Sequence, residues 1–236
     1  MAEPINPPRA VLQLLEARAP LELSALLLQL PLLRLTAPQG NGDPVIVLPG
    51  FLADDASTWL LRRFLSAVGW DARPWGLGPN TGPGATKVEA VLAQVDELAK
   101  GRSNSVNLVG WSRGGIIARE VARARGDLVR QVITLGTPVR GGPGASSIGR
   151  LVASSLGVNP QDLRRMQDQR ERSPIRVPIT ALYSRTDGVV AWQASIDEQN
   201  PDVEHIEVGG SHIGLGVNAD VYRIVAERLK NPRPRR

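Results

Sequence analysis

The sequence contains no cysteine and only two histidines in 236 residues. The first absence excludes disulfides, thiolate metal sites and a cysteine nucleophile together. The second confines any imidazole chemistry to His205 and His212. No uninterrupted apolar run approaches the roughly 18 residues that a membrane-spanning helix needs. The N-terminus lacks a basic stretch followed by an unbroken apolar core, because Glu3, Glu16 and several prolines interrupt it. No secretory leader is expected, and the cytoplasm is the default location. No group of His, Asp and Glu has the spacing of metal ligands, so neither a metal nor another cofactor is expected. The formal net charge of +5 is carried by scattered arginines, with one dense basic run at Asn231-Pro-Arg-Pro-Arg-Arg236. Basic residues are not clustered with aromatics on one element, so nucleic acid is not an expected partner, and the tail reads as solvated.

What is present has the balance of a globular protein: 42% apolar and 22% charged residues, in a length that fits one domain. Short apolar, β-branched runs recur at 45–48, 106–109, 129–135, 178–183 and 203–208, with a weaker one at 70–75. Between them lie segments with apolar residues three and four apart, at 57–68, 86–100, 114–125 and 219–229. In the second of these, Val88, Val91, Leu92, Val95 and Leu98 would share one helical face. Strand–helix alternation of this kind predicts an α/β fold: a mostly parallel sheet of about six strands with helices on both faces.

Two segments depart from the rhythm. Residues 136–178 open with a glycine- and proline-rich stretch, continue with a helical pattern near 148–156 and end in a charged run at 161–172. They stand where a simple crossover needs one helix, so a short cap insertion, about 139–176, is expected above the carboxyl ends of the strands. The other is the leucine-dense segment Leu21-Glu-Leu-Ser-Ala-Leu-Leu-Leu-Gln-Leu-Pro-Leu-Leu-Arg-Leu35. Pro20 suits a helix start and Pro31 a break, which predicts a short helix followed by a turn. Its leucines surround most of the helix. Either it packs on the sheet edge or on the helices, or part of it stays exposed for peripheral membrane contact or a homodimer. The organisation read from these features is an N-terminal helical extension over 1–42, a main domain over 43–231 and a basic tail over 232–236.

The motif that carries chemistry is Gly110-Trp-Ser-Arg-Gly114, which follows one apolar run and leads into a helix. A serine on a sharp strand-to-helix turn has its hydroxyl exposed, and flanking glycines let the turn pass its neighbours. The same turn offers the amide of Arg113 to developing negative charge. Ser112 is therefore the candidate nucleophile, and it needs a base. His205 lies inside an alternating strand pattern. His212, in Gly209-Gly-Ser-His-Ile-Gly-Leu-Gly216, follows that strand at the edge where Ser112 also sits. It is the candidate base, which puts the working ionisation at about pH 6 to 7. The acid that would fix its tautomer is Asp187, just after the 178–183 run; Asp197, Glu198 and Asp202 compete but read as solvent-facing. A second amide donor would come from Val45-Ile-Val-Leu-Pro-Gly-Phe-Leu52, through Phe51 or less favourably Leu52. The loop at 75–84 is either a pocket wall or a plain turn; it lacks the spacing of a phosphate loop. Trp111 reads as core, and Trp192 as support for the Asp187 loop.

In Leu48-Pro-Gly-Phe51, Gly110-Trp-Ser-Arg-Gly114, Tyr183-Ser-Arg-Thr-Asp-Gly-Val189 and Ser211-His-Ile-Gly-Leu-Gly216 the chain resembles the α/β-hydrolase superfamily. Within it the similarity is to bacterial esterases and lipases whose oxyanion turn reads Pro-Gly. The resemblance spans about 43–229 and implies a minimal form of that fold, without its first two antiparallel strands. It further implies Ser112, Asp187 and His212 as catalytic triad and the amides of Phe51 and Arg113 as oxyanion hole. The expected activity is hydrolysis of carboxylic esters through an acyl-enzyme, on a small-molecule or lipid substrate. Phe51, Leu52 and the 148–156 segment would line an apolar acyl site. Acyl transfer on the same fold is the alternative. A non-catalytic binding protein would be marked by a lost triad member, and none is lost.

Overall fold

A computed structural model describes residues 5–100, 105–171 and 173–235. Residues 1–4 of the expected extension, the last residue of the 161–172 run and the last of the 232–236 tail lie outside the described residues. Each expected apolar run is a strand: β1 (Pro44–Leu48), β2 (Asp71–Pro74), β3 (Val106–Trp111), β4 (Val129–Leu135), β5 (Ile179–Tyr183) and β6 (Val203–Glu207). They form one sheet in the order β2-β1-β3-β4-β5-β6, with every pairing parallel. The residues of β1 are buried throughout, as a central strand covered on both faces requires. The edge strand β2 is half-exposed to exposed, which explains its weak apolar signal.

The helices among the described residues are α1 (Ala10–Leu15), α2 (Ala19–Thr36), α3 (Asp55–Ala67), α4 (Gly84–Leu98), α5 (Arg113–Ala124), α6 (Gly149–Ser155), α7 (Pro160–Glu171) and α8 (Ala219–Lys230). Alternation along β1 sends Val45 and Val47 into one core, with Leu61, Phe64 and Val221 of α3 and α8. Ile46 and Leu48 enter the other, with Val91, Ile117 and Val121 of α4 and α5. Helices thus cover both faces. Three of them have side-chain caps: Asp54 accepts from the Ala56 amide at 2.9 Å, Asn159 from the Gln161 and Asp162 amides at 2.9 Å, and Asn218 from the Val221 amide at 3.1 Å. The connection between β4 and β5 holds α6 and α7 in place of a single crossover helix.

The N-terminal segment differs from expectation. Pro20 stands in the first turn of α2, but the helix runs through Pro31 to Thr36 and no turn follows at the proline. An interior proline costs about 3 kcal/mol in an isolated helix. Here Leu26, Leu30 and Leu33 are buried against α3 and α8, and this packing on both sides of Pro31 offsets the lost hydrogen bond. The helix lies on other helices and on the turn after His212, not on the sheet edge. Its outer face leaves Leu21, Leu28, Leu32 and Leu35 exposed. No helix among the described residues is long and apolar enough to cross a membrane. The basic tail is not simply solvated. Arg233 pairs with buried Asp202 at 2.8 Å, and Arg235 donates to the carbonyls of Gly126 and Val129.

Candidate active site

Parallel register sets the site. Leu48 lies beside Gly110, Trp111 beside Leu135, Leu135 beside Leu182, and Tyr183 beside Glu207. The turns after β1, β3, β5 and β6 therefore open at one edge of the sheet, and they carry Phe51, Ser112, Asp187 and His212. Ser112, between β3 and α5, has φ 52° and ψ −120°, a region few non-glycine residues enter. Such a residue costs about 1–3 kcal/mol and persists only if its surroundings hold it. Its amide donates to the Leu135 carbonyl at 2.7 Å, and its carbonyl accepts from the Thr137 hydroxyl at 2.9 Å and the Gly115 amide at 3.0 Å. A side chain at Gly110 would collide with the backbone of α5, and one at Gly114 with the Leu48 carbonyl. Both glycines of the motif are steric requirements of the turn.

Asp187 and His212 meet directly. The His212 Nδ1 lies 2.6 Å from Asp187 Oδ2, and both residues are buried. Asp187 Oδ1 accepts from the amides of Val189 at 2.8 Å and Val190 at 2.7 Å, which fixes the carboxylate in one orientation. Burial opposes a charged imidazole, but the charge and hydrogen bond of Asp187, with a contribution from Glu16, outweigh it and raise the His212 pKa. Trp111, next to Ser112, donates its indole N–H to the His212 carbonyl at 3.2 Å and so ties the two loops. Trp192 stacks on Tyr183, and the Arg185 guanidinium stands 4.4 Å from the centroid of the Trp192 ring, at the start of the Asp187 loop.

The turn after β1 is knitted to the serine turn by Asn80, a residue of the 75–84 loop that sequence reasoning did not single out. Asn80 is fully buried; its side chain donates to the Pro49 carbonyl at 2.8 Å and its amide to the Ala53 carbonyl at 2.8 Å. The Asn80 carbonyl accepts the Leu52 amide at 3.2 Å and the Arg113 guanidinium at 2.9 Å. The Leu52 amide is thus engaged by a backbone carbonyl within the turn. The Arg113 guanidinium also stands over the Phe51 ring, 5.8 Å from its centroid.

The competing acids are not brought to the site, and two of them were misread. Asp197 and Asp202 are buried, not solvent-facing. Asp197 pairs with buried Arg119 at 2.7 Å and donates its amide to His205 Nε2 at 2.9 Å. Burial would raise the Asp197 pKa, but the Arg119 charge and the Asn200 hydrogen bonds prevail and hold it low. His205 is lowered, chiefly by burial, against the pull of Asp197. Two titrations are therefore expected in the imidazole carbon–proton spectrum, His205 below and His212 above the ordinary value of about 6.5. Assignment with His205→Ala checks this; a His212 midpoint below 6.5 would contradict the pairing.

A cleft of about 510 Å³ opens beside Ser112, lined by Phe51, Ile116, Ile117, Val152, Leu156 and Leu163 among others. Its size is that of a small-ligand site. Ile148 and Val152 belong to the segment expected to line it, whereas Leu52 does not line it and is exposed.

No family model matches the sequence. A triacylglycerol lipase of Pseudarthrobacter phenanthrenivorans is 39% identical over 89 residues, 37% of this chain and 26% of the lipase. The match thus spans about a quarter of the length of that curated relative. Among solved structures, Aspergillus fumigatus lipase B aligns with a TM-score of 0.64 at 18% identity, over 84% of this chain and 56% of that one. A lipase-esterase related protein from Clostridium acetobutylicum aligns with a TM-score of 0.58 at 17% identity, over 83% and 97%. The chain has the α/β-hydrolase fold. In this α/β-hydrolase fold the sheet begins at Pro44, and α1 and α2 precede it. Glu16 and Glu22 of that N-terminal segment reach the Asp187 and His212 loops, a contact that no local sequence signal announced.

Proposed function

We propose that the chain is a serine hydrolase of carboxylic esters with apolar acyl groups. The observation that carries this reading is the buried 2.6 Å Asp187–His212 pair, at the same sheet edge as a positive-φ serine beside an apolar cleft. With Nδ1 engaged by Asp187, the imidazole presents Nε2 as the proton acceptor. Ser112 Oγ attacks the ester carbonyl while its proton passes to Nε2. The carbonyl oxygen, now negative, accepts hydrogen bonds from the amides of Phe51 and Arg113. Collapse breaks the bond to the leaving alcohol, which takes the proton from His212 and leaves an acyl-serine. Water then attacks the acyl carbonyl as the same nitrogen takes its proton, and collapse breaks the acyl–Oγ bond, with the proton passing from His212 to Ser112 Oγ as the acid leaves.

The substrate class follows from the cleft. It borders α5 from Ser112 to Ala124, a rise of about 18 Å. Apolar side chains dominate it near the serine, and the Glu120–Arg123 ion pair stands toward its far end. A panel of p-nitrophenyl esters tests this. kcat/KM should climb from acetate to octanoate and stop gaining once the chain meets that ion pair. A preference for acetate over every longer ester, or no hydrolysis of any, would reject the assignment.

A further inference from the structure

Glu16 lies before the first strand, in a turn between α1 and α2, yet its carboxylate is spent on the backbone of the two loops that carry Asp187 and His212. Oε1 accepts from the Gly188 amide at 2.7 Å and from the His212 amide at 2.8 Å; Oε2 accepts from the Ile213 amide at 3.0 Å. One oxygen thus bridges the residue after Asp187 to His212 itself, parallel to the 2.6 Å side-chain bond between them. Glu22, six residues on, repeats the device one residue earlier in the base loop. It accepts from the Ser211 amide at 2.8 Å and the Ser211 hydroxyl at 2.5 Å. Arg18 pairs with Glu22 at 3.0 Å and donates to the Thr186 hydroxyl at 2.6 Å.

The two loops are shaped to receive this segment. A side chain at Gly188 would collide with the Leu12 carbonyl, and one at Gly214 with the Glu22 carboxylate. Charge-assisted bonds from a carboxylate to several amides are among the stronger hydrogen bonds in proteins. Three of them converge where the acid and base loops meet.

We propose that Glu16 is a positioning residue of the active site: its carboxylate, brought in by the N-terminal helices, clamps the Asp187 loop to the His212 loop and sets the imidazole against its acid. The inference rests on the hydrolase reading for its kinetic consequence only. Glu16 touches no reacting atom. It acts through the backbone of Gly188, His212 and Ile213, where a displacement on the order of 1 Å costs about 10²-fold in rate. The charged groups facing the imidazole are Asp187 and Glu16, so removing one carboxylate also removes one source of support for the imidazolium.

The test compares the full chain with Glu16→Ala and Glu16→Gln. Glutamine keeps the shape but loses the charge, and in either orientation its NH2 group faces an amide N–H. Competent sites are counted by burst titration with a p-nitrophenyl phosphonate, and kcat and KM are measured per competent site on p-nitrophenyl butyrate. The His212 midpoint is read by NMR without substrate. Both variants are expected to lose about 10–100-fold in kcat with KM changed little, and to titrate His212 at lower pH than the wild type. If alanine prevents folding, glutamine decides. Wild-type kcat per site together with an unmoved His212 midpoint in either folded variant would overturn the proposal, even if the melting temperature fell. A wild-type protein that hydrolyses no ester, with variants that still shift the His212 midpoint, would instead remove the hydrolase reading and leave the clamp standing.

Discussion

Replacing Ser112 by alanine is expected to lower kcat on p-nitrophenyl butyrate by roughly 10⁴-fold or more, and replacing His212 by alanine to cost about as much. The double variant should lose little beyond either single one, because in the proposed mechanism serine and imidazole act in one proton transfer and the second loss finds nothing left to remove. Asp187→Asn tests the third member differently. Oδ1 already accepts from the amides of Val189 and Val190, so the carboxamide is expected to keep its oxygen there and turn its NH2 toward His212 Nδ1. The imidazole would then carry its proton on Nε2, facing Ser112, and a loss on the order of 10⁴-fold follows from the wrong tautomer. His205→Ala removes an acceptor from the Asp197 amide, far from this chain of transfer, and activity should stay near wild type. An inactive His205→Ala beside an active His212→Ala would overthrow the assignment. Because the His212 pKa is raised, kcat/KM for a neutral ester should rise with pH through one ionisation above 6.5, the neutral imidazole being the working form.

Deleting residues 1–38 is expected to abolish activity and to leave a protein that aggregates or melts far lower. The deletion strips Leu26, Leu30 and Leu33 from the core they share with α3 and α8, each worth about 2 kcal/mol of burial. It also leaves the amides of Gly188, Ser211, His212 and Ile213 without the carboxylates of Glu16 and Glu22. The outer leucines of α2 make no such contribution, so replacing Leu21, Leu28, Leu32 and Leu35 together by serine should spare hydrolysis of soluble esters. Sedimentation and vesicle flotation of that variant read whether the same leucines serve a second copy or a lipid surface. A truncated chain that stays monodisperse, melts as before and turns over esters at the wild-type rate would sink the structural account of the segment.

The sequence was most legible where one residue's neighbours in the chain are also its neighbours in space. The β-branched runs of β1, β3 and β4 declare themselves because both faces are buried. The serine turn is legible because its glycines answer a local steric demand. His212 could be told from His205 because one follows a strand and the other alternates within it. What was missed depends on partners far along the chain. Asp197 looks like a surface acid until Arg119, 78 residues earlier, is seen beside it. Glu16 and Glu22 look like polar punctuation in and before a leucine-rich helix, since their acceptor role appears only with loops 172 to 197 residues away. Pro31 misled for the opposite reason. There the local cost of a proline yields to buried leucines on each side.

The clamp at Glu16 has a consequence for the order in which the molecule takes shape. The bonds that join it to Gly188 and His212 close loops of 172 and 196 residues, among the longest that a chain of 236 can form. Contacts of such separation gain nothing until the intervening chain is arranged, so they belong late in folding. The leucine-rich helix α2 shares its core with α3 and with the distant α8, and the part that faces α8 stays uncovered until that later helix is in place. A stalled or shortened chain would therefore hold its stickiest surface open, and a refolding experiment should regain helical ellipticity well before it regains turnover.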